Sequence, residues 1–349
     1  MERLWYQLTT RIADQTQAQV ISWGRSRIGL PFFMLWAFIR ASRFLLKDSV
    51  TLIHLSDPLL APLGIVLRTI KSVPVIINVH GLDITYPNRA YQALIPVCLR
   101  LLDHVICISR YTLDECLKRG IPASRCTVIP PGIDVDAFAI ALPDRDRESW
   151  LSFWGIDSPN KKILMTSGRL VPRKGVARFV SEALPLLMAR RQDWVYLIVG
   201  DGPERRKIED AVTARGLSQQ VRLLGKIEDY ALRAAYALAD IFVMPNIPVP
   251  GNPEGFGIVV LEARASGVPV IASKLEGISE AVGGEEDGTL VEPENWPAFV
   301  DAIEWWLDRQ ESIVDRERRR ERVKREFDWS YIIPRYLALF REIERKDRF

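Results

Sequence analysis

Short runs of consecutive apolar residues recur along the whole chain, separated by longer stretches with the spacing of amphipathic helices. Runs without polar alternation indicate strands that are buried on both faces. Strands that alternate with helices form parallel sheets built from βαβ units. Two series of runs therefore predict two doubly wound α/β domains. The predicted strands are residues 50–55, 74–80, 104–109 and 126–132 in the first half, and 162–169, 194–202, 221–225, 241–246, 269–273 and 288–293 in the second.

The composition agrees with two soluble domains and excludes several other classes. The chain has 349 residues, and a domain usually takes about 100–200. A net charge of +3 is too small to indicate nucleic-acid binding. The four cysteines form no CxxC pair and the three histidines show no zinc-type spacing, so neither a disulfide framework nor a metal site is predicted. A reducing cytoplasm is the expected compartment.

Two segments leave a contact with lipid open. Residues 28–46 are strongly apolar, but Pro31, Arg40 and Arg43 interrupt them, and a membrane-spanning helix needs about 20 apolar residues. We reject a span, and expect either a helix packed on a sheet or a partly exposed apolar patch at the inner face of a membrane. Residues 316–325 hold seven basic and two acidic residues, which indicates a solvated helix face or a contact with anionic headgroups.

The residues that follow the strands of the second half are the first candidates for a site, because ligands bind beyond the carboxyl ends of strands in open α/β sheets. Arg169 and Lys174 flank a turn after the first of these strands. Two cations there suit a diphosphate, although they could also be ordinary surface charges. The next two strands are followed by glycine turns that permit close backbone approach or are simply βα turns; these residues are Gly200, Gly202, Gly225 and Lys226.

The stretch "NPEGFGIVVLEARAS" places two carboxylates on either side of a glycine turn. Glu254 precedes the turn and should face a ligand, while the start of the following helix offers unpaired N–H groups. Glu262 lies inside that helix and needs a partner, which would be a ribose diol, or else Arg264 or another cation. Eight helical residues span about 12 Å, which disfavours a glycosidase pair with carboxyl groups about 5–10 Å apart.

The first half offers one comparable position. "VHGLDITYP" ends a predicted strand, and Gly81 after His80 would let the imidazole stand close to a ligand, with Asp83 nearby. The alternative is a buried histidine whose hydrogen bonds are satisfied inside the fold.

Taken together, the segments "VHGLD", "VIPPGIDVDAF", "SGRLVPRKG", "IVGDGP" and "EGFGIVVLEA" resemble the retaining glycosyltransferases of family 4, which have the GT-B fold. The resemblance implies two Rossmann-like domains that face each other across a cleft. It also implies a last helix that returns to the first domain. We place the N-terminal acceptor-side domain at residues 1–142 together with 328–349, and the donor-binding domain at residues 143–327.

The resemblance also assigns roles. Arg169 and Lys174 would neutralise the donor diphosphate, Glu254 would hold the sugar and His80 would lie against the transferred sugar. Glu262 would hold the ribose, and the remaining donor contacts would come from Gly168, Gly200, Gly202, Gly225, Lys226, Phe256, Gly257 and Ile258. Asp134 and Asp136 look like a metal-binding DxD, but their position matches this family's domain-end turn. No metal and no other cofactor is therefore expected.

The expected function is a retaining hexosyl transfer from a GDP- or UDP-linked sugar to a glycan or lipid-linked acceptor, in the biosynthesis of a cell-envelope polysaccharide. Same-face attack by the acceptor would retain the configuration. The alternative is a non-catalytic nucleotide-sugar-binding subunit that supports a partner enzyme. A Rossmann oxidoreductase is disfavoured because G-x-G-x-x-G is missing.

The N-terminal residues raise a separate expectation. A doubly wound domain normally opens with a strand and a glycine-rich turn, but this chain opens with helical spacing, at Leu4, Trp5, Leu8 and Ile12, followed by a candidate strand at residues 18–23. In the family it resembles, that helix follows a first strand. We therefore expect the N-terminal domain to lack its first strand, which would leave a central position of the sheet empty.

Overall fold

A computed structural model describes residues 2–22, 30–47, 50–140, 142–156, 158, 160–309 and 311–346. The chain forms two compact units. Unit 1 comprises Met1–Gly132 and Trp329–Phe349, and unit 2 comprises Ile133–Asp328. The first division thus lies after residue 132, whereas the sequence placed it after residue 142. The two units are described separately below.

Ten strands and sixteen α-helices follow one another along the described residues in the alternation typical of βαβ units. In chain order they are α1 (Glu2–Ala13), α2 (Leu30–Lys47), β1 (Ile53–Leu55), α3 (Ala61–Ile70), β2 (Val75–Val79), α4 (Leu82–Thr85), α5 (Arg89–Leu101), β3 (His104–Cys107), α6 (Arg110–Lys118), β4 (Cys126–Val128), α7 (Asp144–Phe153), β5 (Lys162–Ser167), α8 (Val176–Arg178), α9 (Leu184–Arg190), β6 (Trp194–Val199), α10 (Arg205–Ala214), β7 (Val221–Gly225), α11 (Asp229–Leu238), β8 (Ile241–Met244), α12 (Ile258–Ala265), β9 (Val270–Ser273), α13 (Ile278–Val282), β10 (Gly288–Val291), α14 (Trp296–Asp308), α15 (Ile313–Phe327) and α16 (Trp329–Lys346).

Unit 1 is built on a parallel sheet in the order β1–β2–β3–β4. These four strands lie within the four predicted runs, so those predictions are confirmed. The prediction of a strand at residues 18–23 is wrong for residues 18–22, which are not in a strand, and Trp23 lies outside the described residues. The four described strands pair with one another in sequence order, so the empty central position that we expected does not lie between any two of them.

The side chains of β2 alternate between the two faces of this sheet, as the period of a strand requires. Val75, Ile77 and Val79 form one apolar core with residues of α3, α5 and α6. Ile76, with Ile106 from β3, forms another with residues of α1 and α16. Both faces are therefore covered, which explains why the strands read as continuous apolar runs.

Unit 2 contains a six-stranded parallel sheet in the order β10–β9–β8–β5–β6–β7. β5 pairs with β6 on one side and with β8 on the other. The strand order reverses at β5, and such a switch point opens a crevice at the carboxyl ends of the strands. The six predicted strands of the second half are all present, so the doubly wound α/β class is confirmed.

The basic run at residues 316–325 is only partly a solvated face, and both interpretations of it are wrong for at least three of its six arginines, which bond to other parts of unit 2. Arg319 is 1% exposed and donates to the Gly267 and Glu286 carbonyls and to Glu311. Arg316 donates to the Ala239 carbonyl at 2.9 Å, and Arg322 pairs with Asp287 at 2.7 Å. The run therefore holds α15 onto the rest of unit 2.

The apolar segment of residues 28–46 corresponds largely to α2, which packs against α3. Among the described helices, none is both long enough and apolar enough to cross a bilayer.

Candidate functional site

A cluster of two cations and one carboxylate lies where β5 and β8 end in unit 2. The ammonium of Lys174 lies 2.7 Å from Oε2 of Glu254, and Nε of Arg173 lies 3.3 Å from the same oxygen. Asn246, just after β8, offers its amide nitrogen to that oxygen at 3.4 Å. The structure thus brings together Lys174 and Glu254, which the sequence singled out separately.

Backbone contacts fix the two loops that carry these side chains. Gly175, directly after Lys174, has a φ of 65°, and a Cβ added there would overlap the carbonyl oxygen of Pro245. The amide of Ile247 donates to the carbonyl of Arg173 at 3.0 Å. Only a glycine allows this approach, so the "RKG" sequence sets the distance between the cations and the loop that follows β8.

Glu254 is held in its ionised form. Its side chain is 14% exposed, and burial alone would raise its pKa, but the charges and hydrogen bonds of Lys174 and Arg173 outweigh that effect and hold the pKa below its usual range. The carboxylate is therefore charged at neutral pH. Because its described contacts all use Oε2, Oε1 remains available for a donor such as a sugar hydroxyl.

Three of these partners were missed by the sequence analysis. Arg173 is next to Lys174 in the chain, so the adjacent pair of cations was a signal for it. Asn246 follows a predicted strand, which is also a readable signal. Glu276 accepts a hydrogen bond from the amide of Glu254, yet it lies 22 residues away and only the tertiary fold reveals it. Its φ of 50° is rare for a residue other than glycine.

The glycine turns after β5, β6 and β7 lie side by side. The amide of Gly200 donates to the carbonyl of Gly225 at 2.8 Å. A Cβ on Gly200 would overlap the carbonyl of Gly168, and one on Gly202 would overlap that of Leu170. The close contact between neighbouring turns explains why residues 200 and 202 are glycines. Contact with a donor stays a prediction for Gly168, Gly200, Gly202 and Gly225.

The two predicted cations of the diphosphate site differ in their surroundings. The side chain of Lys174 is 11% exposed and paired with Glu254, and its Cε lies 3.9 Å from where a Cβ of Gly168 would be. Arg169 is exposed, as is Lys226 after β7. Lys174 is therefore held in place by an ion pair, and the roles of Lys174, Arg169 and Lys226 at a diphosphate all stay predictions.

Among the described contacts, Glu262 has a partner that the sequence did not predict, and its contact with a ribose stays a prediction. The buried hydroxyl of Tyr236, on α11, donates to Oε2 of Glu262 at 2.9 Å and lies 2.5 Å from the hydroxyl of Ser167 at the end of β5. The proposed pairing of Glu262 with Arg264 is wrong, because Arg264 donates to Asp287 and to the carbonyl of Ala281 instead. Tyr236 thus orients the carboxylate of Glu262.

Helix α12 begins directly after the glycine turn, as the sequence predicted. Gly257, with a φ of 88°, is its N-cap and provides no side-chain cap. The amides at Ile258 and beyond therefore form a helix N-terminus that favours an anion. Phe256 is 2% exposed and packs on Phe327, so its side chain anchors the turn, and the contact of the Phe256, Gly257 and Ile258 backbone with a donor stays a prediction.

His80 lies at the end of β2 in unit 1. Nε2 of its ring is 3.1 Å from Nε1 of Trp5 and 3.1 Å from the carbonyl of Ser56, while Nδ1 is buried without a hydrogen-bond partner among the described residues. Burial lowers the pKa of His80 to about 4, so the ring is neutral. It is thus a partly buried histidine whose Nδ1 has no hydrogen-bond partner among the described residues, and its contact with a sugar stays a prediction.

Asp83 organises the turn after His80. Its carboxylate accepts the amides of His80 at 2.8 Å and Ile84 at 2.8 Å. Burial, reinforced by the charge of Asp57, raises the pKa of Asp83 to about 7.

The DxD sequence has structural contacts within unit 2. Asp134 accepts the amide of Ala137 at 3.3 Å, and Asp136 pairs with Lys324 at 2.7 Å. Within the part of the chain that the structure describes, no group of three or more histidine, cysteine, aspartate or glutamate residues could hold a metal ion. The expectation that activity needs no metal stays untested.

Several known proteins resemble this chain. An uncharacterized glycosyltransferase of Methanocaldococcus jannaschii is 29% identical over 296 residues, which cover 81% of this chain and 73% of that protein. The GDP-mannose-dependent alpha-(1-6)-phosphatidylinositol monomannoside mannosyltransferase of Mycolicibacterium smegmatis is 32% identical over 70% of this chain, and the match spans just 63% of that protein. The structure of Anabaena HepE in complex with UDP superposes with a TM-score of 0.76 at 19% identity, covering 89% of this chain and 82% of that one, which shows a shared fold.

Two family models match in succession. The model described as Glycosyltransferase Family 4 matches residues 7–137, and the model described as Glycosyl transferases group 1 matches residues 147–326. Since the second match alone covers more than half of the chain, the protein belongs to the family 4 glycosyltransferases of the GT-B fold class.

Proposed function

We propose that the protein is a retaining glycosyltransferase that moves a hexose from a GDP- or UDP-linked sugar to a glycan or lipid-linked acceptor. The observation that carries this proposal is the cluster of Lys174, Arg173 and Glu254 beside the N-terminus of α12. It combines fixed positive charge for a diphosphate with a carboxylate for a sugar, at the switch point of the sheet in unit 2.

Leaving-group stabilisation comes from the cations. Breaking the bond between the anomeric carbon and the phosphate oxygen develops negative charge on the diphosphate and positive charge on the sugar. An ammonium has three N–H donors, and Lys174 uses one of them on Glu254, so two remain for diphosphate oxygens. The amides at the start of α12 act in the same direction.

Glu254 and Glu262 position the two ends of the donor. Oε1 of Glu254 accepts a sugar hydroxyl, while its ionised state supports positive charge that develops on the ring. Glu262, oriented by Tyr236, accepts from the ribose hydroxyls. Attack by the acceptor hydroxyl on the same face retains the configuration, and the departing phosphate oxygen takes the acceptor's proton, so no carboxylate nucleophile is required.

The nature of the substrates is supported by the relatives rather than by the cluster. The Mycolicibacterium smegmatis enzyme is named as GDP-mannose-dependent, the Anabaena structure contains UDP, and an Escherichia coli relative is named for a UDP-Gal donor and a diphosphoundecaprenol acceptor. These names support a GDP- or UDP-hexose as donor and a lipid-linked acceptor from cell-envelope synthesis.

The test is incubation of the full chain with a panel of nucleotide sugars and lipid-linked acceptors, with free nucleotide and product measured. We expect one donor to release nucleotide faster when its acceptor is present, and the product to keep the donor's anomeric configuration by NMR. Inversion would exclude the retaining mechanism. Tight donor binding without product under any acceptor would favour a non-catalytic subunit.

Metal independence is tested in the same assay. We expect turnover to persist in excess EDTA, because the cations of the protein neutralise the leaving group. Loss of turnover on chelation, restored by Mg²⁺ or Mn²⁺, would contradict this.

A further inference from the structure

The loop between β9 and α13 in unit 2 holds a glutamate in an unfavourable backbone conformation. Glu276 has a φ of 50°, a value that residues other than glycine, asparagine and aspartate seldom adopt. Among the described residues that are not glycine, only Glu294 also has a positive φ, of 64°. Backbone strain of this kind persists where surrounding contacts impose it, and it is concentrated at functional sites. The contacts of Glu276 therefore indicate what the strained conformation achieves.

Glu276 uses its side chain on the backbone of Glu254. Its carboxylate accepts a hydrogen bond from the amide of Glu254. The next residue, Gly277, donates its own amide to the carbonyl of Glu254 at 3.4 Å. Both backbone polar groups of Glu254 are thus bonded to two consecutive residues of the same loop. Contacts on both sides of its Cα fix the direction in which the Glu254 side chain leaves the backbone.

Close backbone packing keeps this loop against the turn that follows Glu254. A Cβ added to Gly277 would overlap the carbonyl oxygen of Gly255 and would lie 3.1 Å from Cα of Phe256. Ile278, which begins α13, is fully buried. Glycine at position 277 permits the approach, so the two segments are in van der Waals contact and Glu276 lies where they meet.

The side chain of Glu254 is held by a different set of groups. Lys174, Arg173 and Asn246 all approach its Oε2, and they lie in the loops after β5 and β8. These groups determine the charge of the carboxylate. The loop after β9 determines the position of the backbone from which that carboxylate extends, so the two sets of contacts perform separable tasks.

We propose that Glu276 is a positioning residue for the donor sugar, because it holds the backbone of Glu254 where Oε1 of that carboxylate meets a sugar hydroxyl. This inference rests on the proposed role of Glu254 in donor binding. Glu276 acts through Glu254 and requires no contact with the substrate. Without Glu276, the turn loses the acceptor of the Glu254 amide, and Gly255 within it allows a wide range of backbone conformations. A misplacement of about 1 Å can lower turnover by about 10²-fold.

Glu276→Gly separates this role from a purely structural one. Glycine adopts a positive φ without strain, so the variant relieves the backbone while it removes the acceptor of the Glu254 amide. We expect turnover of the donor that the wild type accepts to fall by about tenfold or more. Isothermal titration should show weaker binding of the nucleotide sugar but unchanged binding of the nucleoside diphosphate, which lacks the sugar. A parallel loss of both affinities would make Glu276 a structural residue and overturn the inference.

Two further variants supply the control and the rescue. Glu294→Gly also replaces a glutamate of positive φ, but the carboxylate of Glu294 pairs with Arg178, so this control should keep wild-type turnover. Glu276→Gln retains a side-chain oxygen that can accept the amide of Glu254, and it should restore turnover to within about threefold of the wild type. Equal losses in Glu276→Gln and Glu276→Gly would indicate that the charge of Glu276 acts on the donor directly, which would overturn the positioning role.

Hydrogen exchange in the free protein measures the contact without any donor. The amides of residues 254–257 should exchange faster in Glu276→Gly than in Glu294→Gly, and equal rates would refute the hold of Glu276 on this turn. Wild-type turnover in Glu276→Gly, measured beside an active wild-type chain, would overturn the inference and leave the proposed function standing. A wild-type chain that binds no nucleotide sugar would instead exclude the proposed function, and the role of Glu276 with it.

Discussion

Titratable side chains in and after the strands are shielded from water in both units, yet unit 1 favours their neutral forms whereas unit 2 favours an ionised one. In unit 1, burial lowers the pKa of His54 and His80 to about 4 and raises the pKa of Asp83 to about 7. In unit 2, the pKa of Glu254 is held below its usual range. Burial acts against charge in all four cases.

The difference comes from the partners. His54 bonds to the amide oxygen of Asn78 at 2.6 Å, and neutral partners cannot repay the loss of hydration of a charge. Glu254 has an ammonium at 2.7 Å, and opposite charge at that distance outweighs desolvation. Unit 1 thus favours neutral hydrogen bonding and unit 2 stabilises ions, which is what the proposed diphosphate leaving group requires.

The largest expected effect tests the charged cluster of unit 2. Lys174→Ala should lower turnover by about 10²–10³-fold, since it removes a fixed cation from the leaving group. Steady-state release of nucleotide from the verified donor measures it. Lys207→Ala is the control, because Lys207 pairs only with neighbouring Glu204 on a surface helix among the described contacts, and it should leave turnover unchanged. Wild-type turnover in Lys174→Ala would end the assignment.

Arg169→Ala sharpens that result, because Arg169 was paired with Lys174 by sequence but is exposed in the structure. If Arg169 also contacts the diphosphate, Arg169→Ala should lower turnover by a similar factor of about 10² or more. A clearly smaller loss than that of Lys174→Ala would show that burial and pairing, rather than strand-end position, identify the effective cation.

The next effect concerns the neutral groups of unit 1. Because the pKa of His54 falls from 6.5 to about 4 on folding, its contribution to stability is fully present above about pH 6.5 and is lost as the pH falls toward 4. His54→Gln should therefore reduce the pH dependence of unfolding in this window by up to about 1.4 kcal/mol per pH unit. Hydrogen exchange of the β2 amides measures unit 1 by itself, and an unchanged slope would contradict the prediction.

Asp83 should act with the opposite sign. Its folded pKa of about 7 lies above the ordinary value of 3.8, so its contribution is present below about pH 4 and is lost as the pH rises through 7. Asp83→Asn should remove this loss. The free energy of unfolding should then rise more steeply between pH 4 and 7, by up to about 1.4 kcal/mol per pH unit, which corresponds to one proton. The same exchange experiment applies, and a shallower slope would show that Asp83 is ionised in the fold.

The smallest effect tests the contact that orients Glu262. Tyr236→Phe removes the hydroxyl shared by Ser167 and Glu262 and should weaken nucleoside diphosphate binding by about fivefold to tenfold, the value of one buried hydrogen bond. Tyr196→Phe is the matched control, because its buried hydroxyl bonds to Thr166 at 2.7 Å instead. Isothermal titration should show weaker binding in the first variant alone; equal affinities would separate Glu262 from the nucleotide.

Much of the fold could be predicted from the sequence because its strands are buried on both faces. Each of the ten described strands lies within a predicted apolar run. The candidate at residues 18–22 failed, although its residues are partly apolar. Strand formation depends on a neighbouring strand to pair with, and a short local pattern does not contain that information.

The candidate site was predictable only where chemistry and a strand end coincided. Lys174, Glu254 and the glycine that begins α12 were identified because cations, carboxylates and turns are visible in the chain. Tyr236 was not, since an aromatic residue in an amphipathic helix reads as core, and here it is fully buried while its hydroxyl reaches Glu262. The arginines of α15 were misread because a run of charges gives no indication of the carbonyl groups that will surround it.

The sequence by itself thus determined the alternation of elements, the positions of the turns and the types of charged groups placed at the strand ends, because these follow from local periodicity and residue chemistry. The tertiary structure alone decided which charged side chains lie in contact and whether each of them is ionised. Lys174 and Glu254 are 80 residues apart in the numbering, yet their atoms lie 2.7 Å apart, and that distance keeps Glu254 ionised. Desolvation and Coulomb energy depend on such distances, which the order of residues does not specify.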